Sequence, residues 1–102
     1  MNQEDDAIVS LIKNHRYKEA EGEILRITHK LLSRLEEGII TQSDIYNRLQ
    51  PIYDHIWPLS MDIEFSGWVW DIFLELDVFK TYNKMNTSFM KETVSKASSI
   101  KG

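Results

Sequence analysis

Cysteine is absent from the sequence. Its absence excludes disulfide scaffolds, Cys-ligated zinc and iron–sulfur sites, and thiol catalysis. Proline occurs only at Pro51 and Pro58, and glycine only at Gly22, Gly38, Gly67 and Gly102. Few turn residues beside many Leu, Ile, Glu and Lys point to helices joined by short connections. No apolar run approaches the ~20 residues that span a bilayer. The opening Met1-Asn2-Gln3-Glu4-Asp5-Asp6 is too acidic and polar for a signal peptide. A cytoplasmic protein that does not engage membranes is therefore expected. Basic residues are outnumbered, 12 against 16 acids, for a net charge of −4. Direct nucleic-acid binding is not expected, because phosphate contacts need a basic face. Phosphate-cradling glycine loops and nucleophile elbows are missing as well.

What remains is a globular composition. Apolar residues at 42% separate the chain from disordered sequences, and 102 residues suit one core. Apolar spacing predicts an all-α fold: a compact antiparallel bundle of about four helices with a weak or frayed fifth at the C-terminus. The first helix is expected over about Glu4 to Asn14, with Ile8, Val9, Leu11 and Ile12 as its stripe. Glu4, Asp5 and Asp6 stand where the helix dipole favours carboxylates. The second runs from about Tyr17 to Glu37, on Tyr17, Ala20, Ile24, Ile27, Leu31 and Leu35. Leu25 and Leu32 widen that stripe for two neighbours, and Gly38 suits a left-handed stop.

Thr41 and Asp44 approximate a capping box, with Ile40 and Ile45 as a staple, opening a third helix on Ile45, Leu49, Ile52 and Ile56. Pro51 predicts a kink or short break near Leu49–Gln50. A fourth helix is expected from about Ser60 to Tyr82, on Met61, Phe65, Trp68, Ile72, Leu76 and Phe79. Residues 59–65 also alternate with the strand period, but a lone strand without a partner is marginal. Nine apolar residues in the twelve from Trp68 to Phe79 mark this helix as the central, most buried one. Residues 1–82 then form the bundle domain, and 83–102 a basic polar tail or weak helix on Phe89, Met90, Val94, Ala97 and Ile100.

Asn14-His15-Arg16-Tyr17-Lys18-Glu19-Ala20-Glu21 resembles the turn and second-helix onset of a tetratricopeptide repeat. In that family a Tyr and a small Ala at this spacing pack helix on helix. No second copy follows at the family's period of about 34 residues, so no peptide-binding function is carried over.

Charge is unevenly placed. Residues 41–79 hold seven acids (Asp44, Asp54, Asp62, Glu64, Asp71, Glu75, Asp77) against the single base Arg48. Residues 80–102 hold five lysines against Glu92. The acidic stretch also carries all three tryptophans, with Tyr46 and Tyr53. Aromatics supply desolvated anchors and carboxylates steer encounter, which together suit a surface for a basic protein. On a helical wheel Glu64, Asp71 and Glu75 share a stripe flanked by Trp68, and Trp70, Ile63 and Leu74 form a second apolar patch. The predicted contact residues are Trp57, Asp62, Glu64, Trp68, Trp70, Asp71 and Glu75. The competing interpretation makes both apolar faces core and the acidic stripe ordinary solvated surface.

His15, His29 and His55 each lack a Glu three residues before them, so the helical di-metal spacing is missing. No metal, cofactor or catalytic residue is predicted. The expected function is a non-enzymatic binding protein masking a basic partner such as a toxin or nuclease, in the manner of an immunity protein or antitoxin. The alternative is a self-associating helical structural or adaptor protein, a homodimer through the Trp70, Ile63 and Leu74 patch.

Overall fold

Thr41 sets the start of one helix as its spacing predicts. Its Oγ1 accepts from the Asp44 N–H at 3.3 Å, and Asp44 Oδ2 accepts from the Thr41 N–H at 2.8 Å. In the computed structural model, which describes residues 3–101 with side chains to residue 99, that helix is the third of five. They are α1 (Gln3–Lys13), α2 (Tyr17–Glu36), α3 (Gln42–Ile56), α4 (Gly67–Tyr82) and α5 (Thr87–Lys101). A 3-10 turn, Trp57–Leu59, follows α3. The described residues contain no strand, and none of their helices is long and apolar enough to cross a membrane.

Helix ends follow one device. His15, Gly38 and Asn83 all take positive φ, at 59°, 77° and 59°. After α1, Arg16 N–H donates to Leu11 O and His15 N–H to Ile12 O; after α2, Ile39 N–H donates to Arg34 O and Gly38 N–H to Leu35 O. These wrap-back bonds satisfy carbonyls that a helix end leaves open.

The core unites all five helices around Ile8, Ile24, Ile45, Leu49, Ile52, Ile56, Ile72, Phe73, Leu76 and Met90. Its hub differs from expectation. α2 packs against α1, α3 and α5 and buries eight residues, whereas α4 packs against α3 and α5 and buries five. Half-buried Trp68 and Trp70 and exposed Leu74 make α4 apolar in composition without making it central. α3 runs through Pro51 without a break. Proline removes one ladder bond, but Ile45, Leu49, Ile52, Tyr53 and Ile56 are all buried on both sides of it. The weak C-terminal stripe forms a fifteen-residue helix, with Met90, Val94 and Ala97 buried. Burying side chains such as Met90 and Val94 is worth about 2 kcal/mol each, enough to dock a helix of modest propensity. Ile100 of that stripe lies outside the described side chains.

The fourth helix begins seven residues later than the predicted Ser60. Residues 60–66 lie outside any helix: a turn over 60–62, in which Asp62 N–H donates to Leu59 O, leads into an irregular stretch over 63–66. Along them Ile63 is buried and Phe65 half-buried, while Asp62 and Glu64 are exposed. The period-two alternation is met only at Ile63 and Phe65; Leu59 and Met61, its earlier members, are exposed in the 3-10 turn and the turn that follows it. Met61, predicted on the buried stripe, is 94% exposed. Three long-range bonds hold this segment: Tyr17 Oη donates to Asp62 O at 3.2 Å, Lys18 Nζ to Ser66 Oγ at 3.3 Å, and Ser66 N–H to Glu21 Oε2 at 3.1 Å.

α1 is tied down by charge. Arg48 donates to Asp5 Oδ1 at 2.7 Å and to Glu4 Oε1 at 3.2 Å, and Arg26 reaches Glu4 Oε2 at 2.6 Å and Glu23 Oε2 at 2.9 Å. Asp5 is only 3% exposed. Two of the acids read as dipole partners, Glu4 and Asp5, are cross-links to α2 and α3.

Candidate functional site

The site is built where α3, its 3-10 turn and α4 meet. Along α3, Tyr53 and Trp57 stand four residues apart and so share a face. Their ring centroids lie 5.7 Å apart. On α4, Trp70, Phe73, Leu74 and Asp77 share a face by the same spacing. Phe73 joins the two helices, 5.0 Å from Tyr53 and 6.2 Å from Trp70. The row continues through Phe65, 5.7 Å from Trp70, to Tyr17 at 6.2 Å and His15 at a further 5.8 Å.

Between these elements lies a groove of about 310 Å³, lined by Tyr53, Trp57, Ser60, Trp70, Asp71, Phe73, Leu74 and Asp77. Tyr53 and Phe73 form a buried floor; Trp57 is 57% exposed and Leu74 59%. The Tyr53 hydroxyl donates to Asp77 Oδ2 at 3.1 Å. Burial and the neighbouring Asp77 carboxylate push the Tyr53 phenol up to about 12, so it stays a neutral donor. Leu59 and Met61 extend the exposed apolar surface along the adjoining chain.

The carboxylates here have no internal counter-ion. Among the described residues, none of the seven acids in 41–79 enters an ion pair. Arg48, the one base of that stretch, is consumed by Glu4 and Asp5. The C-terminal lysines do not compensate: Lys91 pairs with Glu36 on α2 and Lys96 with Glu92 on α5 itself.

Of the seven predicted contact residues, the fold brings three together in the groove: Trp57, Trp70 and Asp71. Asp62 and Glu64 are exposed on the 60–66 segment, and Glu64 stands beside His15, Arg16, Tyr17 and Lys18. Glu64 precedes α4 and therefore cannot share a helical stripe with Asp71 and Glu75. Trp68 lines a separate cavity of about 160 Å³ with Lys18, Glu21, Gly22, Leu25, Ser66 and Ala97. Glu75 Oε1 accepts from the Asn86 N–H at 2.8 Å, which braces the α4–α5 turn. The predicted patch of Trp70, Ile63 and Leu74 also divides, since Ile63 is core and Leu74 is outward. Tyr53, Leu74 and Asp77 belong to the groove and were not among the predicted contacts. Their signal was present in the helical spacings 53/57 and 70/74/77.

Among the described residues no group of three or more His, Asp or Glu side chains is gathered that could hold a metal ion. No protein-family model, curated protein or solved structure matches the chain.

Proposed function

We propose that this chain is a non-enzymatic binding protein that masks a basic protein partner through the α3–α4 groove. The observation that carries the proposal is the groove itself: exposed Trp57 and Leu74 and half-buried Trp70 beside Asp71 and Asp77, which form no ion pair among the described residues. Desolvated aromatics provide binding energy, and unpaired carboxylates at the rim accelerate encounter with a cationic surface. Its concrete form is an inhibitor of a toxic enzyme, similar in role to an immunity protein or antitoxin and acting in the cytoplasm. That form rests on analogy of size and charge with proteins that neutralise basic nucleases. The proposal takes the helices as an antiparallel bundle, in keeping with the short connections between α1, α2 and α3, so that the groove opens at one end of α3.

A second reading draws on the exposed Leu59 and Met61 beside Trp57. Apolar side chains clustered this way also suit a homodimer face. Sedimentation and association kinetics at low and high salt separate the two. A steered heterocomplex forms more slowly as salt rises, whereas an apolar homodimer hardly responds. A salt-insensitive dimer abolished by Trp57→Ala, with no basic partner bound, overturns the masking function.

A further inference from the structure

We propose that the groove between Trp57 and Trp70 is a seat for one arginine side chain of the basic partner, its guanidinium stacked on tryptophan and bonded to Asp71 and Asp77. This inference rests on the masking function proposed above and specifies the chemistry of its central contact.

Four observations converge on a guanidinium. The groove, at about 310 Å³, is at the small end for ligand sites and fits a side chain better than a helix. Its walls are the two tryptophans, the aromatic residues whose faces attract cations most strongly. Asp77 is pre-positioned: the Tyr53 hydroxyl engages Oδ2, which fixes the carboxylate and leaves Oδ1 to accept from a guest. Asp71 makes no hydrogen bond or ion pair with the described residues, so its acceptors are open.

Other occupants fit less well. Two carboxylates among aromatic rings are a poor set for a hard metal ion, which wants six or more oxygens. An ammonium is compact and strongly hydrated, and gains little from flat apolar walls. A guanidinium is planar, weakly hydrated and forked, so it stacks on indole while donating in its own plane to carboxylates. Among the described residues no lysine lines the groove.

The test is NMR of the full chain, reading the indole N–H signals of Trp57, Trp70 and Trp68 during titration with N-acetyl-arginine amide. N-acetyl-citrulline amide serves as the uncharged isostere and N-acetyl-lysine amide as the alternative cation. The expected result is saturable movement of Trp57 and Trp70 with Trp68 still. Arginine should bind about tenfold or more tightly than citrulline, as a charge-assisted pair requires. Asp71→Asn with Asp77→Asn, both exposed positions, should abolish that preference while leaving the other resonances in place. Equal response to lysine overturns the guanidinium assignment. No response, or an equal response to citrulline, overturns the cation seat altogether. Either failure leaves the masking function standing if Trp57→Ala still weakens a basic protein partner, and that separate measurement distinguishes the two.

Discussion

Tyr53 and Asp77, on different helices, share a hydrogen bond of 3.1 Å at the floor of an otherwise uncompensated acidic groove. Burial and the adjacent carboxylate raise the phenol to about 12. An unfolded tyrosine ionises near 10, so between about 10 and 12 the unfolded chain loses a proton that the folded chain keeps. Stability attached to the neutral phenol is therefore full below pH 10 and lost as pH rises through that window. Ultraviolet titration should show one of the four tyrosines ionising late, and Tyr53→Phe should delete that late step. An unchanged titration in the variant would assign the shift elsewhere.

Arg48 and Arg26 offer a graded test of the α1 cross-link. Arg48 bonds Asp5, which is nearly inaccessible, whereas Arg26 bonds partners that are about half exposed. A pair with one nearly inaccessible partner is screened less than exposed pairs, which are worth little. Arg48→Met should cost more than about 1 kcal/mol in urea unfolding. Arg26→Met should cost under about 1 kcal/mol. Both guanidiniums hold the Glu4 carboxyl below its usual 4.5, with Arg26 the larger cause. That contribution is present above pH 4.5 and disappears as pH falls through the lower folded value. In Arg26→Met the acid limb of the stability curve should flatten.

Two glycines should respond to alanine with opposite signs. Gly38 has φ at +77° and open space where a Cβ would go. The cost of Gly38→Ala is then almost purely that of the left-handed backbone, about 1 kcal/mol. Gly67 opens α4 with ordinary φ and equally open space. Gly67→Ala should be neutral or stabilise by up to about 1 kcal/mol, since alanine loses less chain entropy on folding. Thermal unfolding of both variants checks the pair.

These contrasts also explain what could be read from the residues alone. The Thr41 capping box, the Gly38 stop and the α2 stripe are local, with every partner within a few positions. The start of α4 is not local. Residues 60–66 are held by Tyr17, Lys18 and Glu21, 45 to 48 positions away, and no spacing rule announces such bonds. The same non-locality split the contact residues. Trp68 and Trp70 are two residues apart, so a helix turns them to different sides. Deciding which side met open surface required α5, whose Ala97 shares a cavity with Trp68. Glu75 looked like a free rim acid because its partner is a backbone N–H in the next turn.

That division of roles yields the decisive mutational contrast for partner binding. Trp57 is largely exposed, and among the described residues its aromatic ring contact is with Tyr53. Trp57→Ala should therefore change folding stability little, yet weaken a basic partner by about 2 kcal/mol or more, as central aromatic anchors do. Asp71→Asn removes both a steering charge and a guanidinium acceptor, so it should slow association and speed dissociation, with only the association part vanishing at high salt. Glu75→Ala should do the reverse of Trp57→Ala. It leaves the Asn86 N–H without its acceptor, costing about 1 kcal/mol of stability, while affinity stays unchanged. Calorimetric binding and urea unfolding on the three variants place each on two axes. If Glu75→Ala weakens binding as much as Trp57→Ala, the groove is not the contact surface, and the acids of α4 act through a different face.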